Sequence, residues 1–290
     1  MNPRHHGPEQ NMPDPNLRKR ALAALCESDP SAKVGAVHAI FKLLEELRHD
    51  DSLLLTALNT GLVLHPLPEL TLPGRPARPV LVPPGQVPHR SPFTDEGLAA
   101  LLHAICHIEF NAINLALDAV WRFEGMPEKF YTDWLRVADE EATHFSLLRE
   151  LLLALGHEYG DFEAHNGLWE MCVKTKDDIV ARMALVPRTL EARGLDATPL
   201  IQAKLRKVNS EAASKANTIL DIILRDEVGH VAIGNYWYAW LCHREGFDPV
   251  PHYRVLARRH EAPRLKPPFN EEARKAAGFT QAELDFLLGA

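Results

Sequence analysis

The sequence has few cysteines, and none of them forms a recognisable metal-binding or redox pair. Cys26, Cys106, Cys172 and Cys242 lie far apart, and no two have the CxxC spacing of a zinc site or a redox-active pair. Disulfide frameworks are typical of small secreted domains with closely spaced cysteines. The pattern therefore predicts reduced, buried thiols and a cytoplasmic protein.

Long apolar runs and an excess of positive charge are also missing. No apolar run approaches the roughly 20 residues needed to cross a bilayer, and residues 1–15 are polar and Pro-rich rather than signal-like. The formal net charge is −7, which makes a nucleic-acid partner unfavourable because phosphate binding needs a positive surface. We expect no membrane association, and we interpret residues 1–15 as a disordered tail.

Helical periodicity dominates the rest of the chain. Residues 16–65 predict helices that pack on a larger bundle, because apolar side chains such as Val37, Ile40 and Leu44 recur at spacings of three and four. Prolines recur throughout 66–93, which excludes a long helix and predicts an extended segment wrapping the outside of the core. A short strand pair near residues 80–82 is the alternative. Residues 247–290 predict a helical C-terminal extension.

Four long helical blocks between residues 94 and 246 form the predicted core. The first begins after the N-cap candidate Thr94 and ends near 123, and the second covers about 127–155. The third covers about 177–193 and stops at Gly194, and the fourth covers about 209–245 and stops at Gly246. A shorter helix is expected at about 199–208. The sequence therefore predicts an all-α fold built on a four-helix bundle.

The second and fourth blocks carry the same polar signature, Glu-x-x-His. Glu141 and His144 share one helix face, as do Glu227 and His230, and both pairs fall on the apolar stripe that a bundle would bury. A carboxylate on such a stripe is costly unless something compensates its charge. Glu46 and His49 have the same spacing, but they stand among charged residues at a helix end, and we predict that this third pair is solvated.

The first and third blocks each add one carboxylate to the pattern, Glu109 and Glu191. The four helices then read Glu, Glu-x-x-His, Glu, Glu-x-x-His, which is the ligand arrangement of carboxylate-bridged di-metal bundles. Four carboxylates offset the charge of two divalent ions. The sequence therefore predicts a site for two iron ions, or manganese, or one of each, held by Glu109, Glu141, His144, Glu191, Glu227 and His230.

Each of these residues also has a simpler interpretation. Glu191 could pair with Arg188, three residues earlier on the same helix. Glu109 could be a buried acid that is protonated or bridged by water. His144 and His230 could be core histidines whose hydrogen bonds are satisfied without a metal ion.

Several neighbours are candidates for a supporting role. Asp226 and Glu140 precede the two Glu-x-x-His glutamates, where each can reach the imidazole on the facing helix and fix its tautomer; the alternative is that both are surface acids. Pro187 is expected to kink the third helix near the site. Gly229 leaves room for close helix contact or for a ligand. His103 and His107 lie one helical turn apart, as two metal ligands could, but His107 points away from Glu109, which favours a role on the outer face of their helix.

These residues resemble the ferritin-like di-metal proteins, a superfamily that includes ferritins, rubrerythrins and the small subunit of class I ribonucleotide reductase. The likeness covers roughly residues 94–246. More narrowly, the segment at 186–199 (VPRTLEARGLDATP), the RDEVGHV turn and the late PPFNEEARKAAGF segment resemble the bacterial domain-of-unknown-function family number 455. The resemblance implies that Glu141 and Glu227 bridge the metal ions while Glu109 and Glu191 bind terminally.

The resemblance also implies a function. It favours an oxidoreductase that activates dioxygen or peroxide and oxidises or hydroxylates a small organic substrate. An electron-donor protein is the expected partner. Two alternatives stay open: ferroxidase-type iron handling without an organic substrate, and hydroxylation of modified tRNA, since the ligand scheme is similar to that of the bacterial tRNA hydroxylase. A vestigial site in a scaffold protein is a further option, and a homodimer is left open. No rubredoxin-type CxxC module accompanies the bundle, which separates the chain from rubrerythrins.

Overall fold

A computed structural model describes residues 15–66 and 71–288, and its regular elements are helices. The predicted all-α fold is confirmed over these ranges, whereas the predicted tail at 1–15 lies outside them except for Pro15. The helices are α1 (Leu17–Cys26), α2 (Pro30–Leu47), α3 (Asp51–Leu58), α4 (Asp95–Arg122), α5 (Glu128–Ala154), α6 (Gly167–Lys174), α7 (Ile179–Leu185), α8 (Ala192–Leu205), α9 (Glu211–Glu245), α10 (Pro249–Arg259), α11 (Glu271–Ala276) and α12 (Gln281–Leu288).

The two longest core helices begin and end where local chemistry predicts. Thr94 caps α4, and its hydroxyl accepts a hydrogen bond from the backbone N–H of Gly97 at 3.1 Å. Gly246 ends α9 with φ at 74°, a left-handed conformation that favours glycine. Helix α5 lies between them, in contact with both α4 and α9.

Helix α4 is long and apolar enough to span a membrane by length and composition, although the sequence contains no uninterrupted apolar run of that size. Its apolar 18-residue window is 78% buried inside the protein. The helix also buries Glu109, Asn111, Asn114 and Asp118, which a lipid-facing helix would not accommodate. These features are typical of the central helix of a folded core.

The third core block differs from its prediction. Instead of one helix that stops at Gly194 and a separate helix at 199–208, α7 leads into a π-helical segment (Val186–Glu191), and α8 then runs through Gly194 and Pro199. Pro199 has no N–H to donate to the Leu195 carbonyl. The side chain of Asn270 donates to that carbonyl instead, at 3.1 Å, so the helix continues past the proline.

The N-terminal helices are tied to the end of α4 by a buried arginine. Arg18 is fully buried and donates to the carbonyls of Val120 at 3.1 Å and Trp121 at 2.9 Å. These carbonyls belong to the last turn of α4, which has no intrahelical donors for them. Burial of α1 against α4 therefore also satisfies the C-terminal end of that core helix.

The Pro-rich segment is irregular in its described part, with one short 3-10 turn at Pro84–Gln86. It contacts the loop after α5 through an isolated parallel bridge between Leu81 and Ala164, rather than through a strand pair of its own. The N–H of Val82 donates to the Ala164 carbonyl at 2.8 Å. At the other end of the chain, α10 packs on α7 and α9, and α11 packs on α8 and α9.

Candidate metal centre

The polar cluster inside the bundle is built from α4, α5, α9 and the π-helical segment. All six predicted side chains are buried, the most exposed being Glu191 at 8%. Four of them each offer one ligand atom within 4.8 Å of the others, and this group can hold a metal ion: Glu109, Glu141, His144 and Glu227. His230 adjoins the group, since its Nδ1 lies 2.9 Å from Oε1 of Glu141 and 3.6 Å from Oε1 of Glu227. The assignment of all six as ligands stays a prediction.

Glu141 occupies the middle of the cluster. Its Oε2 lies 3.3 Å from Nδ1 of His144, and its Oε1 lies 2.9 Å from Nδ1 of His230. The two imidazoles come from different helices, and their ring centroids are 5.9 Å apart. One carboxylate therefore presents a separate oxygen to each histidine.

The outer nitrogen of each imidazole is held by a carboxylate from the facing helix. Nε2 of His144 on α5 lies 3.1 Å from Oδ2 of Asp226 on α9, and Nε2 of His230 on α9 lies 2.6 Å from Oε2 of Glu140 on α5. An ionised carboxylate only accepts hydrogen bonds, so Nε2 carries a proton in both rings. The predicted contact of Asp226 and Glu140 with the imidazole of the facing helix is confirmed, so neither is simply a surface acid.

Several buried atoms of the cluster have no hydrogen-bond partner within the described part of the chain. They are Oε2 of Glu109, Oε1 of Glu141, Oε2 of Glu191, Oε2 of Glu227 and Nδ1 of His230. Buried polar atoms are almost always partnered in folded proteins, because each one left alone costs free energy. Carboxylate oxygens and imidazole nitrogens are the donors that iron and manganese accept. The cluster therefore fits a cation-binding site.

The electrostatics of the cluster favour binding of a positive charge. Burial, followed by the charge of Glu141, raises the pKa of Glu109 well above its ordinary value. Burial, followed by the charges of Glu227 and Glu141, raises the pKa of Glu191 in the same direction. Burial alone would lower the pKa of His144, but the nearby carboxylates of Glu109 and Glu141 raise it to about 11. The buried carboxylates of the cluster are therefore stabilised by a proton or by a metal ion.

Glu191 ends the π-helical segment and does not pair with Arg188. The guanidinium of Arg188 binds Glu283 at 2.6 Å and Asn235 at 2.7 Å, so the simpler interpretation of Glu191 is wrong. Pro187 stands at the start of this segment, where the predicted kink takes the form of a π-helical turn. Widened turns of this kind are frequent at functional sites.

The close helix contact predicted at Gly229 occurs instead at Gly234. A Cβ built on Gly229 meets nothing within 4 Å, and this position is exposed. A Cβ on Gly234 would lie 2.6 Å from Cβ of Pro187. Gly234 therefore lets α9 approach the π-helical segment.

The outer-face role predicted for His103 and His107 is wrong. Both are buried, because the loop after α5 folds back over this side of α4. Nε2 of His103 accepts a hydrogen bond from the N–H of Gly160 at 2.9 Å, and Nδ1 of His107 lies 2.9 Å from the hydroxyl of Tyr159. Glu46 and His49, by contrast, are exposed, as predicted.

Comparison with known proteins assigns the family. The sequence matches the family described as Protein of unknown function (DUF455) over residues 26–285. The chain belongs to this family. An uncharacterized protein of Haemophilus influenzae (strain ATCC 51907 / DSM 11121 / KW20 / Rd) is 54% identical over 230 residues, covering 76% of this chain and 78% of that protein. No solved structure matches the chain significantly.

Proposed function

We propose that this chain binds two metal ions, iron or manganese, and is an oxidoreductase that activates dioxygen or peroxide to oxidise or hydroxylate a small organic substrate. The supporting observation is the pair of crossed histidines. His144 and His230 each hold a proton on Nε2 for a carboxylate of the facing helix, and each directs Nδ1 toward Glu141.

The orientation of these rings calls for a positive charge between Nδ1 and the carboxylates. An imidazole with its proton on Nε2 has a lone pair on Nδ1, and that lone pair repels a carboxylate oxygen at 2.9 to 3.3 Å. A proton or a metal ion removes the repulsion. The four buried glutamates carry four negative charges when ionised, and their unpartnered oxygens favour two divalent ions over protons.

Different side chains would bind the metal ions and orient the ligands of such a centre. The position of Glu141 between the two imidazoles supports its predicted bridging role, and the group formed by Glu109, Glu141, His144 and Glu227 supports the same role for Glu227. Asp226 and Glu140 would keep each Nδ1 free of a proton and available as a ligand. When bound, the metal ions supply Lewis-acid and redox chemistry toward oxygen. Burial of the cluster keeps bulk water away from that chemistry.

The proposal includes the partners that such a reaction needs. Reduction of dioxygen requires electrons, so we propose an electron-donor protein as partner. We also propose a cytoplasmic location. Activation of peroxide would need no such donor. A homodimer is compatible with both routes.

Elemental analysis of protein purified without chelator tests the metal part of the proposal. We expect about two iron or manganese ions per chain, and a His144→Ala variant should lose most of this metal. A His49→Ala variant removes the histidine of the exposed Glu-x-x-His pair and should keep it. Failure of the wild-type protein to retain either metal after anaerobic reconstitution would contradict the proposal.

Oxygen-consumption assays on the iron-loaded protein test the reaction. We expect consumption that depends on an organic substrate and an electron donor. Consumption that follows added ferrous ion alone, together with a large cage on gel filtration, would instead support iron handling. A tRNA mobility shift that weakens with salt would favour the tRNA hydroxylase alternative.

A further inference from the structure

Arg188 connects the π-helical segment to the C-terminal extension. It lies three residues before Glu191, yet its guanidinium donates to Oδ1 of Asn235 on α9 at 2.7 Å and to Oε1 of Glu283 on α12 at 2.6 Å. Arg188 is 6% exposed and Glu283 is 9% exposed, so the ion pair is shielded from solvent. Shielded pairs resist screening by salt better than surface pairs.

Aromatic rings and further hydrogen bonds enclose the same arginine. Its guanidinium carbon lies 4.7 Å from the ring centre of Phe279 and 5.1 Å from that of Tyr238. Asn235, which accepts from Arg188, donates to the backbone carbonyl of Ala277 at 2.7 Å. The segment that follows α11 therefore contacts both Arg188 and the α9 residue beside it.

The π-helical segment is the least regular part of the core helices, and it bears one of the four buried carboxylates. A π-helical turn is rarer than an α-helical turn, and it persists where the surroundings hold it. Relaxation to α-helical geometry would rotate Glu191 relative to α7.

We infer that Arg188 and Glu283 are positioning residues for Glu191, and that the C-terminal extension thereby completes the metal centre. The ion pair, Asn235 and the contact between Gly234 and Pro187 fix the π-helical segment. This inference rests on the proposed function, because it concerns the same metal site. Glu109, Glu141 and His144 come from α4 and α5 and do not depend on the extension.

Metal titration of a Glu283→Ala variant tests the inference. The expected result is loss of one ion, from about two to about one per chain, or an affinity for the second ion at least about 10-fold weaker. Glu271→Ala is the matched control, because Glu271 lies in the same extension and pairs with exposed Lys275 on its own helix. The control should bind both ions as the wild type does.

The outcomes separate the inference from the proposed function. Wild-type protein that binds no metal overturns the proposed function. Wild-type protein and a folded Glu283→Ala variant that both bind two ions with equal affinity overturn the inference alone. Circular dichroism establishes that the variant is folded, and a Glu283→Gln variant, which keeps an acceptor for Arg188, should recover part of the second site.

Hydrogen exchange on the unaltered protein provides a second test that does not depend on a variant folding. Coupling between two sites is reciprocal, so an extension that orders Glu191 must itself be ordered further when metal binds. We expect amides in residues 271–288 to exchange more slowly after metal loading. Slower exchange at residues 186–191 with no change at 271–288 would overturn the inference.

Discussion

Asp226 on α9 accepts a hydrogen bond from Nε2 of His144 on α5, across 3.1 Å. Glu140 on α5 makes the reciprocal contact with His230 on α9, at 2.6 Å. Each helix therefore supplies a histidine to the cluster and a carboxylate that orients the histidine of the other helix.

Replacement of Asp226 should weaken metal binding without removing a ligand. In Asp226→Asn the charge that holds the Nε2 proton of His144 is lost, and loss of such a partner typically costs 10- to 100-fold in affinity. Metal titration measures the change. Arg225→Gln is the control, because it removes the exposed partner of Asp226 and leaves His144 untouched. Equal affinity of Asp226→Asn and wild type would count against an orienting role.

Replacement of Glu109 should have opposite effects on metal binding and on stability. Glu109→Gln removes a charge that burial and Glu141 both disfavour, so metal-free protein should melt a few degrees higher, about 2–4 °C per kcal/mol for a domain of this size. The same variant should bind metal more weakly. Differential scanning calorimetry with and without metal measures both effects. Glu124→Gln, at an exposed position, should change neither.

Two glycines of α9 should respond in opposite directions to alanine. Gly234→Ala places a Cβ 2.6 Å from Cβ of Pro187, and such overpacking typically costs about 1–3 kcal/mol. Gly229→Ala meets open space on an exposed helix face and should stabilise the protein by up to about 1 kcal/mol. Urea denaturation measures both values. A neutral Gly234→Ala would show that α9 and the π-helical segment are not in tight contact.

Replacement of Asn270 should lower the free energy of unfolding more when residue 199 is proline than when it is alanine. Asn270→Ala leaves the buried Leu195 carbonyl without a donor, which costs about 1–3 kcal/mol, and it also removes the cap of α11. In a Pro199→Ala background the helix can supply its own N–H. The double-mutant cycle should therefore show a coupling of about 1 kcal/mol, measured by denaturation. Additive effects of the two substitutions would contradict this account of Pro199.

Features that depend on local contacts or on helical periodicity could be predicted from the sequence. Thr94 and Gly246 mark helix ends through bonds made within a few residues, and both were predicted. The burial of Glu141 and Glu227 follows from their place on apolar stripes. Even the crossed contact of Asp226 could be predicted, because its position beside Glu227 fixes which neighbouring helix it can reach.

The errors occurred where a distant part of the chain supplies the missing partner. Gly194 and Pro199 have the local character of a helix end, but Asn270 compensates for the proline by binding the Leu195 carbonyl, 75 residues earlier in the chain. The spacing leaves Arg188 open as a partner for Glu191, whereas the partner of Arg188 in the structure, Glu283, lies 95 residues further along. A single sequence contains no periodic signal for such contacts.

The reciprocal bonds between α5 and α9 also fix the register of these two helices. Each residue of an α-helix advances about 1.5 Å and turns about 100°, so a slip of one residue would move Asp226 and His230 away from their partners together. The two hydrogen bonds run in opposite directions between the helices, and together they hold one register. Insertion of a single residue between Asp226 and His230 would allow at most one of the two hydrogen bonds to form.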